Sequence, residues 1–143
     1  MIFLDETAIE WIALGVIDRT LPKSDWTHGG HFAAALWLCR HRCDLTGSDA
    51  IRTLICRYNE ATGTANTDMG GYHHTITLAS MRAAADGLAG HSRDAPLHAV
   101  HSDLMASRYG RSDWLLAHWS HERLFSVAAR RGWVEPDLAP LPF

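Results

Sequence analysis

The chain has 143 residues, of which 47% are hydrophobic and 20% are charged, and its formal net charge is −3. This length corresponds to one domain, and the composition excludes an intrinsically disordered chain. The small negative charge argues against a protein that follows nucleic-acid phosphates. Ten histidines stand beside only three cysteines. This excess of histidine is the main sequence clue to a functional site.

The amino-terminal residues do not have the pattern of a signal peptide. Asp5 and Glu6 follow a short apolar start that has no basic residues before it. The longest apolar run, residues 32–39, is far shorter than the roughly 20 residues that span a bilayer. These features predict a cytoplasmic protein of bacterial type that does not associate with membranes.

Apolar residues in the first half of the chain recur at helical spacing, whereas strand patterns are almost absent. The first predicted helix covers residues 5–19. A second helix is predicted from a cap at Ser24 or Asp25 to about residue 42, because Leu21-Pro22-Lys23 interrupts the first. The third is predicted to run from a cap at Ser48 to Gly63, a residue typical of helix ends.

The second half of the chain continues this helical pattern. A fourth helix is predicted over residues 72–89, and the Asp94-Ala95-Pro96 signature begins a fifth. Shorter helices are predicted over 112–119 and 120–131, followed by an extended, proline-rich tail. The sequence therefore predicts an all-α fold, with residues 1–143 forming a single-domain bundle of about five to seven helices.

Six of the ten histidines form His-x-x-His pairs, which share a face when they lie on a helix. The pairs are His28/His31, His98/His101 and His118/His121. The first pair encloses Gly29-Gly30 at the predicted start of an apolar helix, where glycine is unfavourable unless another group approaches the backbone closely. The positive end of the helix dipole favours neutral imidazole, the form that binds metal or acts as a base.

A second segment repeats this arrangement of paired glycines, an aromatic residue and histidines. It is Gly70-Gly71-Tyr72-His73-His74, at the start of the fourth predicted helix. If the two helix starts meet, His28, His31 and His73 converge. Three imidazoles with an open fourth position are typical of a catalytic metal site, and imidazole ligands favour zinc or iron.

The predicted metal site would lie in a pocket at the starts of the second and fourth helices. We expect a further set of side chains to line this pocket or to orient the imidazoles. These residues are Asp25, Trp26, Tyr58, Asn59, Tyr72, His74 and Thr77.

Other interpretations of the same histidines remain open. His28 and His31 are equally compatible with buried polar groups that bond to backbone carbonyls, and His101 with a core residue that makes one hydrogen bond. The enzyme hypothesis is a metal-dependent reaction on a small molecule, with unknown catalytic residues. The alternatives are a non-catalytic bundle that binds a small ligand or a partner, and a structural homodimer.

The sequence also resembles a group of small bacterial helical proteins of unassigned function. The resemblance rests on Trp26-Thr27-His28-x-x-His31, Tyr58-Asn59, Gly71-Tyr72-His73-x-Thr75-Ile76-Thr77 and Pro136-Asp137-Leu138-x-Pro140-Leu141, and it covers nearly the whole chain. It implies an all-helical fold and no particular activity. Those proteins carry an acidic residue where this chain has His74. A looser, architectural analogy is to DinB-like bundles, in which a histidine triad holds a divalent metal.

Overall fold

Side-chain caps and a left-handed turn set the bounds of the helices in the computed structural model, which describes residues 4–143. Asp5 caps the first helix by accepting a hydrogen bond from Ala8 N at 2.7 Å, and Arg19 ends it in the left-handed conformation. The described residues form seven α-helices and no strand, so the predicted all-α domain is confirmed. The helices are α1 (Glu6–Asp18), α2 (His28–His41), α3 (Ser48–Ala61), α4 (His74–Ala89), α5 (Leu97–Ala106), α6 (His121–Leu124) and α7 (Val127–Arg131).

Helix α2 is the centre of the fold because its middle is apolar on every side. Every residue from 32 to 38 is buried, and the helix packs against α1, α4 and α5. Small side chains, Ala33 to Ala35, let these neighbours approach closely. The first turn of this helix is less buried than its middle, since His28 is partly exposed and His31 is exposed.

Helix α3 is amphipathic and is only partly joined to this core. It packs mainly against α1 and against the 3₁₀ turn Cys43–Leu45. Its apolar face includes Ile51, Leu54 and Ile55, of which only Ile51 is fully buried. Because α3 contacts α2 and α4 so little, the apolar face of α3 is left beside open space.

Several predicted helix starts are wrong by one to four residues because the capping residue is a different one. Residues Lys23–Asp25 form a 3₁₀ turn, and Thr27 caps α2 by accepting a hydrogen bond from Gly30 N at 3.0 Å. Ser48 is the first residue of α3 and does not cap it. Pro96 occupies the cap position of α5.

The carboxyl-terminal third has less regular structure than the sequence predicts. The predicted helix over 112–119 is the 3₁₀ turn Trp114–Ala117, and the predicted helix over 120–131 is divided into α6 and α7. The division occurs at Ser126, whose hydroxyl accepts a hydrogen bond from Ala129 N at 3.1 Å and starts a new helix. Beyond α7 the chain has no helix, as predicted for its proline-rich tail. No helix among residues 4–143 has the length and hydropathy required to cross a membrane.

Candidate functional site

A cavity of about 580 Å³ lies where α3 stands apart from α2 and α4. The first turns of α2 and α4 both contribute to its lining, which is where the sequence predicted a pocket. Pockets that hold small organic molecules have volumes in this range. The walls are mainly apolar, and the α2, α3 and α4 residues that form them include Phe32, Leu38, Leu54, Ile55, Ile76 and Met81.

His31 lines this cavity, and one of its two ring nitrogens has no hydrogen-bond partner among the described residues. Its Nδ1–H donates to Thr27 O at 2.6 Å, which leaves Nε2 as an unprotonated acceptor that has no hydrogen-bond partner among the described residues. The ring stacks on Trp26, with centroids 3.7 Å apart. His31 as a residue is exposed, yet the protein around its ring is dense enough that burial lowers the pKa of His31 to about 4. His31 is therefore neutral at physiological pH.

His28 lines the same cavity, but one of its nitrogens is used by the fold. Its Nε2–H donates to Tyr109 O at 2.7 Å, and its ring meets the edge of Phe32. This hydrogen bond ties the start of α2 to the 3₁₀ turn Arg108–Gly110. The Nδ1 atom has no hydrogen-bond partner among the described residues.

His73 uses both of its ring nitrogens within the fold. Its Nδ1 accepts a hydrogen bond from Ile76 N at 3.1 Å, so His73 is the N-cap of α4 and not a residue of the first turn. Its Nε2–H donates to Leu124 O at 2.6 Å. Burial lowers the pKa of His73 and keeps the ring neutral. No lone pair is left over for a metal ion.

The predicted metal ligands therefore line one cavity without forming a ligand set. Within residues 4–143, no group of three or more His, Cys, Asp or Glu side chains is placed so that it could hold a metal ion. The three imidazoles of His28, His31 and His73 share the cavity, but two of them donate to backbone carbonyls of other segments. Metal binding by this triad stays a prediction.

The remaining residues predicted for the pocket divide into two groups. Four of them line the cavity, and three lie outside its lining. The lining residues are Trp26, Asn59, Tyr72 and Thr77, and the others are Asp25, Tyr58 and His74. Tyr58 is fully buried, and its hydroxyl donates a hydrogen bond to Leu21 O at 2.9 Å. Its ring packs edge-on against the ring of Trp26, with centroids 5.5 Å apart.

His74 takes part in a chain of side-chain hydrogen bonds below the cavity wall. Its Nδ1 lies 2.7 Å from the Tyr72 hydroxyl, and its Nε2 lies 3.0 Å from the Ser48 hydroxyl. Burial raises the pKa of Tyr72 to about 12, and burial also lowers the pKa of His74. The chain therefore links the starts of α3 and α4 through neutral groups.

One glycine of each pair is needed because another part of the backbone lies too close for a side chain. A Cβ at Gly30 would lie 2.9 Å from Asp25 O, whereas at Gly29 it would meet only ordinary contacts. Gly71 has a φ of +78°, and a Cβ there would collide with the carbonyl oxygen of Ala65. These positions allow the segments before α2 and α4 to fold back beside the cavity.

Three site residues were missed in the sequence because no local pattern marks them. Asn66 organises the loop before α4, since its Oδ1 accepts hydrogen bonds from Asn59 Nδ2 and Tyr72 N. Trp114 and Arg130 reach the cavity from the carboxyl-terminal third. Trp114 is 4% exposed, and its Nε1–H has no hydrogen-bond acceptor among the described residues.

The other histidine pairs do not form sites. His101 is buried and donates to Gly29 O at 2.8 Å, as predicted for a core histidine with one hydrogen bond. His98 is half exposed and pairs with Glu6. His118 is buried and lies 3.1 Å from Pro140 O, so it anchors the carboxyl-terminal tail.

The buried histidines predict that the protein loses stability as the pH falls. Burial lowers the pKa of His31, His73, His74 and His101 below their ordinary value of 6.5. The unfolded chain then binds more protons from about pH 6.5 down to pH 4, so the stabilisation present above pH 6.5 is lost across that range. We expect Tm, measured by circular dichroism, to fall by at least about 5 °C between pH 7.5 and pH 5.

A matched variant separates these histidines from general acid effects. His101→Gln keeps an N–H donor for Gly29 O and cannot take up a proton, so it should reduce the fall in Tm. His91 opposes the trend, because its bond to Asp103 raises its pKa and its stabilisation is lost as the pH rises. A Tm that is constant or higher at pH 5 would contradict the prediction.

Comparison of the chain with family models, with curated proteins and with solved structures gives no match.

Proposed function

We propose that this protein binds a small organic molecule in the cavity between α2, α3 and α4. The observation that carries the proposal is the neutral imidazole of His31, which lines a mainly apolar cavity of about 580 Å³ and whose Nε2 has no partner among the described residues. Ligand pockets combine such apolar walls with a few convergent polar groups. The function is binding, and no reaction is assigned to the site.

The ring of His31 is held in one orientation before any ligand arrives. Thr27 O fixes one ring nitrogen, and Trp26 stacks on one face of the ring. A rigid acceptor loses little conformational freedom on binding, which favours affinity. The ligand group that meets Nε2 is a hydrogen-bond donor, such as a hydroxyl or an amide N–H.

A second polar group in the wall supports the same conclusion. The Trp114 indole N–H is buried without an acceptor, an arrangement that costs about 1–3 kcal/mol. Because this nitrogen is not accessible, a bound molecule could accept from it only if the Trp114 side chain moved. The cavity therefore favours a ligand that carries both an apolar body and polar groups.

The predicted metal ion has weaker support than an organic ligand. A metal ligand must offer a lone pair, and both nitrogens of His73 are already used in hydrogen bonds. His31 and His28 each keep one free nitrogen, which is too few for the three-imidazole site. The metal-dependent enzyme remains the alternative that the experiment below distinguishes.

The test is a fragment screen followed by protein NMR. We expect neutral phenols, alcohols and amides to shift the amide resonances of residues around the cavity. His31→Phe keeps a flat ring that can stack on Trp26. It also keeps the hydrogen bond from the backbone N–H of residue 31 to Thr27 O, which is 2.9 Å long in the unaltered protein. This variant should weaken binding of donor-bearing fragments at least about ten-fold.

His41→Phe is the matched control for this substitution. His41 is exposed on the same helix and lies 5.0 Å from Trp37 between ring centroids, but it does not line the cavity. Fragment affinity should be unchanged in this variant. Failure of all fragments to shift cavity resonances would overturn the proposal. A stoichiometric metal in the purified protein that is lost in His31→Phe would support the metal site instead.

A further inference from the structure

The charged side chains that line the cavity are all positive. Lys23 and Arg130 contribute to its lining, and no Asp or Glu does so among the described residues. Burial keeps His31 and His73 neutral, so they do not change this balance. Isolated charges with one sign beside apolar walls favour ligands of the opposite sign and repel ligands of the same sign.

Arg130 differs from its neighbours in the way its guanidinium is used. Arg131 forms two hydrogen bonds of 2.7 Å with the carboxylate of Asp68, and Arg111 pairs with Asp113. Arg130 forms no hydrogen bond or ion pair with a carboxylate among the described residues, although its charge helps to lower the pKa of Asp68, the partner of Arg131. Its Nη1 donates to Gly71 O at 3.1 Å and to Tyr72 O at 3.3 Å.

These two carbonyl bonds position the guanidinium without neutralising it. They involve Nη1 alone, so the N–H donors of Nε and Nη2 remain for another acceptor. A guanidinium in this state binds a planar carboxylate through two parallel hydrogen bonds. The indole N–H of Trp114 is likewise a donor that needs an acceptor.

We propose that the ligand of this cavity is an organic anion, with a carboxylate that binds Arg130 and an apolar body that fills the space between α2, α3 and α4. This inference rests on the proposed binding function and adds the charge class of the ligand. The ligand's carboxylate supplies the acceptors that Nε and Nη2 of Arg130 lack among the described residues. Cationic ligands of the same shape are disfavoured, because no carboxylate among the described residues lines the cavity to pair with them.

The test compares three probes of nearly equal shape, each with a phenol that can donate to His31: 4-(4-hydroxyphenyl)butanoate, 4-(4-hydroxyphenyl)butan-1-ol and 4-(4-hydroxyphenyl)butan-1-amine. Affinities are measured by isothermal titration calorimetry and by saturation-transfer NMR at pH 7.5. We expect the butanoate to bind at least about ten-fold more tightly than the alcohol, and the amine to bind most weakly. The preference for the anion should decrease at high salt.

Variants at two adjacent arginines identify the residue responsible. Arg130→Gln should weaken binding of the butanoate at least about ten-fold and leave the alcohol unchanged, while Arg130→Lys should retain part of the preference because it keeps the charge. Arg131→Gln is the matched control, since Arg131 is exposed and paired with Asp68. It should leave all three affinities unchanged.

The outcomes separate this inference from the binding function itself. Equal affinities for butanoate and alcohol, with no effect of Arg130→Gln, would overturn the anion inference and leave the binding function intact. Binding of neutral fragments with no binding of the butanoate would do the same. Absence of binding by the three probes and by the neutral fragments would overturn both. The comparison of probes on the unaltered protein remains decisive if Arg130→Gln does not fold.

Discussion

Replacement of Gly71 by alanine is expected to destabilise the protein by about 2–4 kcal/mol and to disrupt the loop that closes the cavity. Gly71 has a φ of +78°, a conformation that side chains other than glycine rarely adopt. A Cβ at this position would collide with Ala65 O and lie 2.8 Å from the Cα of Asn66. Both atoms belong to the backbone, so neither can move without a shift of the whole loop.

The consequences of this substitution reach the cavity through two hydrogen bonds. Gly71 O accepts from Arg130, and Asn66 Oδ1 accepts from Tyr72 N. A shift of the loop should therefore lower Tm and also broaden the NMR resonances of Tyr72 and Arg130. The control is Gly70→Ala, because a Cβ at Gly70 meets nothing within 4 Å and its φ is not positive. Equal Tm values for the two variants would show that the backbone of Gly71 is not constrained as described.

Replacement of Trp119 by alanine is expected to cost about 3–5 kcal/mol, a large share of the roughly 5–15 kcal/mol that stabilises a domain. The side chain is 0% exposed, and its Nε1–H donates to Val134 O at 3.0 Å. Its ring also meets the edge of Trp133, with centroids 5.6 Å apart. The substitution leaves a cavity, removes this hydrogen bond and frees the segment after α7.

Thermal unfolding and urea titration measure this effect, and we expect Tm to fall by more than about 10 °C. Trp11→Ala is the control, because Trp11 is 51% exposed on α1. That variant should change the free energy of unfolding by less than about 1 kcal/mol. A loss below about 1 kcal/mol for Trp119→Ala would contradict the assignment of Trp119 to the core.

The helical fold follows from local properties of the sequence. Patterns that depend only on neighbouring residues were correctly interpreted. They are the apolar spacing in residues 5–19 and 48–63, the uniform apolar run of 32–39 and the proline-rich tail. The errors in the starts of the helices concern competing caps. Thr27 and Ser24 are both good capping residues, and the 3₁₀ turn Lys23–Asp25 decides between them.

The site was predicted in location but not in the roles of its residues. Paired glycines beside His31 and His73 correctly indicated that the starts of α2 and α4 approach other parts of the chain. The spacing of histidines cannot show which ring nitrogens remain free. The lone pair of His73 Nδ1 accepts a hydrogen bond from Ile76 N. Its Nε2–H donates to the carbonyl oxygen of Leu124, a residue 51 positions away in the chain.

The sequence by itself determined the secondary structure class, the apolar character of α2 and the close approach of the backbone at the paired glycines, because these depend on periodicity and on backbone freedom. The tertiary structure alone decided that α3 stands apart from α2 and α4, that His31 keeps a free nitrogen while His73 does not, and that Arg130 reaches the cavity without a carboxylate partner. These features depend on contacts between residues distant in the chain. The physical reason is that hydrogen-bond partners and desolvation are properties of the packed molecule, and no local pattern encodes them.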